Sequence, residues 1–479
     1  NPMTQYIKDK LNVVCNTIWE TEETEFPNRM ALMIAGNSLP DTFTLAPTDY
    51  LLFRQLMDNN MLEPMDEAYE TYANDYIKGT LATYNGLNRG EDGKLYAIAG
   101  GRYGYQHNQL WFRNDWLNAV NMEAPKTIAD IEAILTAWKE NPPTESYSGM
   151  MLNALSVGGV YDSFSASPIF AVKNAYPGMW LTDKDGNAVW GSVQPAVKDG
   201  LAVLADWYAK GLINPQFATY TAAGTKEAQV VGGTTGLFFA PWHIGYSISD
   251  FNATNPDAVL DCVNAPLSAD GKYNIAFPGS AGSFICVRKG FEHPEAVVKV
   301  MNCEYDMWRG LDEKAAELIQ PTRDNGADWA YLLPTSKFNV EPSTCVPDSG
   351  AIAKALVEGT DYSDLAYNPQ TLLMAEQAVA YAKQGNSAPA GSWLSYITRY
   401  VGANPTKMYG DEIQHVYPAF SFVTESMADI KPNLDTLEQT TFLKIITGEL
   451  PIDAFDQFVA DWYAQGGQLM TDEVSSIIK

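Results

Sequence analysis

The chain has 479 residues, which at about 100 to 200 residues per domain indicates two or three compact domains, each large enough to bury its own core. Hydrophobic residues make up 46% and charged residues 19%, proportions that exclude a disordered polyelectrolyte and a fibre. The 58 acidic residues against 31 basic residues give a net charge of −27, which repels nucleic-acid phosphates and anionic membrane surfaces at long range, so we expect no nucleic-acid partner.

The first part of the chain alternates helical and strand patterns. In chain order these are a helix at Thr4–Leu11, a β-rich stretch at Val13–Trp19, a helix at Phe26–Ile34, a strand at Asp41–Leu45 and a helix at Tyr50–Asn59. Such alternation predicts an α/β fold with parallel strands and crossover helices, in which ligands bind beyond the carboxyl ends of the strands.

The rest of the chain continues this pattern and becomes mostly helical beyond about residue 320. Strands are predicted at Leu95–Ala99, Gln109–Phe112, Gly236–Ala240 and Gly282–Val287. Well-marked helices are predicted at Thr127–Asn141, which opens with a capping box, and at Pro195–Gly211, Leu434–Thr447 and Pro451–Gln465. The strand at Gly236–Ala240 leads into Pro241-Trp242-His243, so it places Trp242 at a strand end.

Sequence motifs for catalysis and cofactor binding do not occur in the chain. The phosphate-binding patterns G-x-G-x-x-G and G-x-x-x-x-G-K-[ST], the hydrolase pattern G-x-S-x-G and the zinc pattern H-E-x-x-H are absent. Five cysteines are widely spaced without C-x-x-C, and the four histidines are isolated. We therefore expect no cofactor and no catalytic residue.

One acidic loop admits two interpretations. Asp183, Asp185 and Asn187 resemble the first half of a calcium loop, but the glycine comes two places early and Gln194 stands where a bidentate Glu is required. Asp185-Gly186 between two apolar runs is also a turn signal of a β-hairpin. We expect the hairpin and keep calcium as the alternative.

Aromatic residues make up 12% of the chain, and several fall at predicted strand ends or in loops. A sugar ring has an apolar C–H face and a fringe of hydroxyls, so its site combines flat aromatic side chains with polar groups. Burying one ring face contributes about 1 to 2 kcal/mol at about 25 cal/mol per Å². Trp180, Trp207 and Trp462 have apolar neighbours and are expected in the core, whereas Trp242 is a candidate ligand contact.

Several segments, in this order, resemble extracellular solute-binding proteins of bacterial ABC importers, in the carbohydrate-binding group related to maltose-binding protein and the LplA-type lipoproteins. Nearly the whole chain takes part in the resemblance. The matching segments are Gly36–Phe43, Asp92–Ile98, Trp111–Leu117 followed by Ala124–Thr127, and, near the C-terminus, Ile445–Gly448 and Phe455–Val459.

The resemblance implies a periplasmic-binding-protein-like α/β fold, with two doubly wound lobes joined by crossover hinge strands and a ligand cleft between the lobes. The first lobe would comprise residues 1–110 and 278–330. The second would comprise 115–275 and 335–479, with a helical C-terminal extension. Hinges would lie near residues 108–115, 274–282 and 325–340.

The resemblance also implies ligand contacts by position. Trp242 matches a stacking tryptophan, Asp49 follows a strand where a polar contact is common, and Trp19 lies on the rim of the first lobe. Tyr161 or Phe164 falls in the first aromatic loop of the second lobe, and Phe420 occupies a late aromatic position. Arg102 and His243 complete the set of candidate ligand contacts.

Related proteins begin with a strand before the helix that opens this sequence. We therefore expect the gene to encode an upstream strand and a lipobox signal, because an absent inner strand would leave buried backbone groups unpaired at about 1 to 3 kcal/mol each. The protein would then be a monomer on the outer face of the membrane, anchored by lipid, and its partners would be permease subunits.

The function implied is capture of an oligosaccharide and its delivery to a permease, without catalysis. Two alternatives remain: a carbohydrate-active enzyme with two carboxylates across an aromatic cleft, and a receptor for a peptide or another non-sugar ligand. A neutral sugar is expected, although the scattered Arg102, Arg113, Arg309, Arg323 and Arg399 leave an acidic sugar open.

Overall fold

A computed structural model describes residues 2–19, 21, 25–81, 86–100, 107–277, 283–308, 311–324, 345–363, 365, 369–407 and 413–479. The chain divides into two compact units. Unit 1 comprises residues 1–104, 280–345 and 366–373, and unit 2 comprises residues 105–279, 346–365 and 374–479. The predicted lobes and the hinges near 108–115 and 274–282 stay predictions, and the third predicted hinge at 325–340 lies outside the described residues.

The described strands form four small sheets. The strands are β1 Thr42–Leu45, β2 Ile98–Ala99, β3 Asn108–Arg113, β4 Trp180–Thr182, β5 Ala188–Trp190, β6 Leu237–Pro241, β7 Leu260–Val263, β8 Tyr273–Ala276, β9 Phe284–Val287 and β10 Ile413–Val416. Unit 1 holds a sheet of order β1-β9-β2, and unit 2 holds β6-β3-β7, β8-β10 and the hairpin β4-β5.

The expectation of parallel strands is wrong for most described pairs. β1 pairs antiparallel with β9, from Thr42 opposite Val287 to Leu45 opposite Phe284, and β3 pairs antiparallel with both β6 and β7. Only β8 and β10 run parallel among the described strands. The sheets join strands from distant parts of the chain, so the helix that follows a strand does not bring the next strand to its side.

The helices follow the predicted pattern closely. They are α1 Pro2–Leu11, α2 Phe26–Ala35, α3 Tyr50–Asp58, α4 Asp66–Tyr72, α5 Asp75–Leu81, α6 Asn114–Ala119, α7 Ile128–Glu140, α8 Ser167–Ala171, α9 Ala196–Ala209, α10 Thr225–Val231, α11 Ile244–Ser247, α12 Phe251–Thr254, α13 Glu295–Trp308, α14 Glu313–Asp324, α15 Cys345–Glu358, α16 Pro369–Gln384, α17 Ser392–Ser395, α18 Glu425–Ile446, α19 Ala454–Trp462 and α20 Gln468–Ile478, with a π-helix at Tyr396–Ala403. No helix in these described ranges is both long and apolar enough to cross a bilayer.

Two segments differ from the sequence-based prediction. Val13–Trp19 is not a strand, and it lines a cavity of about 470 Å³ in unit 1 together with Pro40–Thr44, at the edge strand β1. An extended segment without a ladder partner has no hydrogen bonds to define it as a strand. α18 begins at Glu425 rather than Leu434 and continues through Pro432, because burial of Ser426 and Met427 holds its first turns in place.

Each unit has its own core. In unit 1 the side chains of β2 and β9 pack with α4 and α13, and Tyr69, Ile285 and Met301 lie in one buried cluster. In unit 2 the indole rings of Trp207 and Trp462 are buried, as expected, and Trp180 is 4% exposed.

Local signals set the helix ends. The capping box of α7 is present, with Thr127 Oγ1 accepting from the Asp130 N–H at 3.2 Å and Asp130 Oδ2 accepting from the Thr127 N–H at 2.9 Å. The sequence therefore fixes this helix start by two reciprocal hydrogen bonds.

Candidate functional site

The strand β6 places an aromatic group at its carboxyl end in unit 2. All five residues of β6 are buried, and the chain then turns through Trp242 and His243 into the short helix α11. The Tyr246 N–H donates to the His243 carbonyl at 3.0 Å, which closes the first turn of α11. This turn brings three ring side chains, Trp242, His243 and Tyr246, to one end of the strand.

These rings meet at steep angles. The Trp242 and His243 ring centroids lie 5.5 Å apart at 90°, and those of Trp242 and Tyr246 lie 6.5 Å apart at 80°. Tyr161, from the loop before α8, approaches the other side of His243 at 5.7 Å and 69°. Edge-to-face packing of this kind is favourable and fixes ring orientation. Trp242 is 8% exposed whereas Tyr246 is 44% exposed, so the accessible ring is that of Tyr246.

Arg399 of the π-helix covers one face of Trp242. Its guanidinium carbon lies 4.5 Å from the indole centroid, a cation–π contact. Two glycines allow the close approach: a Cβ on Gly402 would lie 2.4 Å from the Trp242 carbonyl oxygen, and one on Gly245 would lie 2.6 Å from Ile397 Cγ2. π-Helical turns are often found at functional sites.

Arg399 has weak acceptors and no carboxylate within 4.0 Å among the described residues. Its Nε and one terminal nitrogen donate to Met374 Sδ at 3.3 and 3.2 Å, and the other terminal nitrogen donates to Ser349 Oγ at 3.3 Å. The contrast is Arg113, whose guanidinium donates to both carboxylate oxygens of Asp115 at 2.7 and 2.5 Å.

Two polar groups of the site are the His243 imidazole, which is neutral, and the Trp242 Nε1–H donor. Burial lowers the pKa of His243 below its usual range, and the positive charge of Arg399 lowers it further, so the imidazole is neutral at pH 7. A neutral imidazole can donate one hydrogen bond and accept another. Trp242 Nε1 is buried and has no acceptor in the described part of the chain.

Two of the predicted aromatic contacts lie in the core instead. Phe164 has no exposed surface, and its ring packs 5.3 Å from that of Phe238, while its N–H donates to the Phe239 carbonyl at 2.6 Å. Phe420 is 2% exposed, forms a β-bridge with Trp180 and packs on another phenylalanine. A ring with no accessible face offers nothing to a ligand, so we leave Phe164 and Phe420 out of the site.

The other predicted contacts belong to unit 1 or lie outside the described residues. Asp49 and Trp19 belong to unit 1. The Asp49 carboxylate accepts the Ala46 N–H at 3.0 Å ahead of α3, and Trp19 lies 5.7 Å from the Phe26 ring with Arg29 over its face. Arg102 lies outside the described residues. The predictions for Asp49, Trp19 and Arg102 therefore stay predictions.

The acidic loop is the turn of the β4-β5 hairpin. Asp183 Oδ1 accepts the N–H groups of Asp185 and Asn187, each at 2.8 Å, and Oδ2 accepts Asn187 Nδ2 at 3.0 Å. These hydrogen bonds lower the pKa of Asp183 and form the hairpin turn that the sequence predicts. The described residues contain no group of three or more His, Cys, Asp or Glu side chains placed to hold a metal ion.

Sequence reasoning missed Tyr246 and gave Arg399 no particular role. A signal for Tyr246 exists, because it follows Trp242 by one helical turn and the two rings therefore share a face. Arg399 carries no such local signal, since only the packing of the π-helix brings it to Trp242.

Two curated relatives match much of the chain, while no protein-family model matches it. Lipoprotein LipO of Bacillus subtilis (strain 168) is 22% identical over 379 residues, which cover 75% of this chain and 66% of LipO. The polygalacturonan/rhamnogalacturonan-binding protein YtcQ of the same organism is 20% identical over 500 residues, covering 99% of this chain and 87% of YtcQ.

Solved structures share the architecture over nearly the whole chain. An extracellular solute-binding protein from Bifidobacterium longum subsp. infantis matches with a TM-score of 0.61 at 12% identity, covering 99% of this chain and 93% of that one. The alginate-binding protein AlgQ2 without calcium ion matches at 0.57 and 16%, covering 100% and 94%. The S. pneumoniae ABC-transporter substrate-binding protein FusA, in complex with kestose, matches at 0.56 and 14%, covering 99% and 94%. The chain therefore has the periplasmic-binding-protein-like fold, as its sequence predicts.

Proposed function

We propose that this chain, which has the fold of extracellular solute-binding proteins, is the substrate-binding component of an ABC importer for an oligosaccharide. The aromatic group at the end of β6, made of Tyr161, Trp242, His243 and Tyr246, would hold the sugar in unit 2. The fold supports a binding role, and the sugar-binding and polysaccharide-binding relatives support the ligand class. The single observation that carries the proposal is the exposed Tyr246 ring beside the Trp242–Arg399 pair.

The chemistry of the group suits a sugar. The exposed face of Tyr246 can cover the C–H face of one ring, which contributes about 1 to 2 kcal/mol at about 25 cal/mol per Å². Neutral His243 can accept a hydrogen bond from a hydroxyl, and Trp242 Nε1–H has no acceptor within the described residues. Because the Trp242 ring is largely buried, little of it is accessible for stacking on a sugar. We therefore assign to Trp242 mainly the role of positioning Tyr246 and Arg399.

The same proposal includes a location and partners. A lipid anchor on the outer face of the membrane would hold the protein near permease subunits that receive the sugar, and a monomer would suffice for this delivery. The relative LipO is described as a lipoprotein, which supports the anchor. The sugar would leave unchanged, because handing a ligand to a permease requires no bond to break.

Titration calorimetry against a panel of oligosaccharides tests the proposal. We expect micromolar binding of at least one glycan and at least tenfold weaker binding after Tyr246→Ala, which corresponds to about 1.4 kcal/mol. Tyr72→Ala is the matched control, because Tyr72 is a similarly exposed tyrosine, at 42%, that is not assigned to the site, so its loss should leave the affinity unchanged.

Three outcomes would contradict the proposal or the site assigned to it. New reducing ends after incubation with glycans would show the carbohydrate-active enzyme that the sequence left open. Binding of peptides with no binding of any glycan would show a receptor for another ligand class. Equal losses of affinity in Tyr246→Ala and Tyr72→Ala would remove the β6 group from the site.

A further inference from the structure

Arg399 retains unused hydrogen-bond donors beside the proposed sugar site. A guanidinium carries five N–H donors, and three of those of Arg399 are directed at Met374 Sδ and Ser349 Oγ. Within the described part of the chain, the other two N–H donors, one on each terminal nitrogen, have no acceptor. Ser349 is itself buried, and its hydroxyl donates to the Val346 carbonyl at 2.7 Å, so its oxygen accepts from Arg399 without offsetting the charge.

Among the described residues, no carboxylate lies within 4.0 Å of Arg399. Carboxylates are plentiful, because the chain has 58 acidic residues. Elsewhere in unit 2, the Arg113 guanidinium lies 4.4 Å from the Trp116 ring centroid and also donates two hydrogen bonds to the Asp115 carboxylate. Arg113 and Arg399 both lie within 4.5 Å of an indole centroid, and of these two only Arg113 has a carboxylate partner among the described residues. A carboxylate that reached the half-buried Arg399 guanidinium would gain charge-assisted hydrogen bonds in place of its thioether and hydroxyl acceptors.

Two further observations point to an electron-rich ligand at the same place. Trp242, under the guanidinium, keeps a buried Nε1–H without an acceptor in the described residues, and such a group costs about 1 to 3 kcal/mol. The Arg399 charge also reaches His243, whose protonated form it disfavours. The β6 group therefore has a positive field in a protein that is acidic as a whole.

We propose that Arg399 binds the carboxylate of a uronic acid unit, so that the transported oligosaccharide is acidic. This inference rests on the proposed function and names its substrate class. The two unused N–H donors of a planar guanidinium match the two oxygens of a carboxylate, a pairing that is both stronger and more directional than a neutral hydrogen bond. Tyr246 would cover the C–H face of the same sugar or of its neighbour.

Binding measurements with one oligomer in two forms test the inference. An oligogalacturonide and its methyl ester have nearly the same shape, but the ester lacks the charge. We expect the wild-type protein to bind the acid at least tenfold more tightly than the ester. Arg399→Gln should abolish that preference and change the affinity for the ester by less than threefold.

The controls separate recognition from structure. Arg54→Gln removes one positive charge from a solvent-facing pair with Asp58 in unit 1, so it should leave the preference intact. Equal losses for acid and ester in Arg399→Gln would mean that Arg399 only supports Trp242, and would overturn the inference. Tighter binding of a sulfated oligosaccharide than of the uronide would overturn the carboxylate as the recognised group. Binding of neutral glycans alone would refute the inference and leave the proposed function intact, whereas no glycan binding would refute both.

Discussion

Gly402 offers the sharpest test of how the site is assembled. A Cβ there would lie 2.4 Å from the Trp242 carbonyl oxygen and 3.0 and 3.1 Å from two carbons of the Trp111 ring. Real Cβ contacts are not shorter than 3.0 Å, so in Gly402→Ala the π-helix must move away from β6. The Gly402 carbonyl also accepts the buried Gln109 Nε2 donor at 2.8 Å, and the movement would strain that hydrogen bond.

The expected cost follows from the contacts. Overpacking a tight core site costs about 1 to 3 kcal/mol, so Gly402→Ala should lower the free energy of unfolding of unit 2 by that amount. Gly79→Ala is the matched control, because Gly79 lies in α5 and its Cβ would meet no atom within 4 Å. Adding the same methyl group there should stabilise the helix by about 0.5 to 1 kcal/mol.

Scanning calorimetry and urea denaturation measure the free energy of unfolding of both variants. Titration calorimetry with a glycan that the wild-type protein binds measures their affinity as a second property. We expect Gly402→Ala to weaken the glycan as well, because the displaced π-helix carries Arg399 away from Trp242. A Gly402→Ala protein that unfolds within about 0.5 kcal/mol of the wild type and binds the glycan equally well would refute the close packing of the π-helix on β6.

Three further predictions concern stability. Thr127→Ala removes one half of the α7 capping box and should cost about 1 kcal/mol in urea denaturation, whereas Thr127→Ser should cost much less. Gly186→Ala places a side chain at φ of 79° in the β4-β5 turn and should cost about 1 to 2 kcal/mol, although nothing lies within 4 Å of the added Cβ. Burial lowers the pKa of His107 to about 4 from the usual 6.5. As the pH falls below 6.5, the unfolded chain therefore binds a proton at His107 before the folded chain does. The free energy of unfolding should fall by up to about 3 kcal/mol between pH 6.5 and 4. His107→Gln should flatten the stability profile between pH 6.5 and 5.5, and an unchanged slope there would contradict a neutral buried His107.

The sequence determined the features that depend on neighbouring residues. Helical periodicity and capping residues predicted α7 and α9, the Asp185-Gly186 turn predicted the β4-β5 hairpin, and Pro241-Trp242-His243 after an apolar run predicted an aromatic group at a strand end. The order of these segments also predicted the fold that the structural comparisons confirm. All of these signals lie within a few residues of the element they describe.

Tertiary structure alone decided which distant segments meet. No local pattern indicates that β1 pairs with β9, that the Phe164 ring faces the core, or that a π-helix carries Arg399 to Trp242. These contacts depend on how whole elements pack, because the free energy of burial depends on surface area and shape rather than on sequence spacing. The sequence therefore predicted Tyr161, Trp242 and His243 of the candidate site, whereas Tyr246 and the role of Arg399 emerged only from the folded chain.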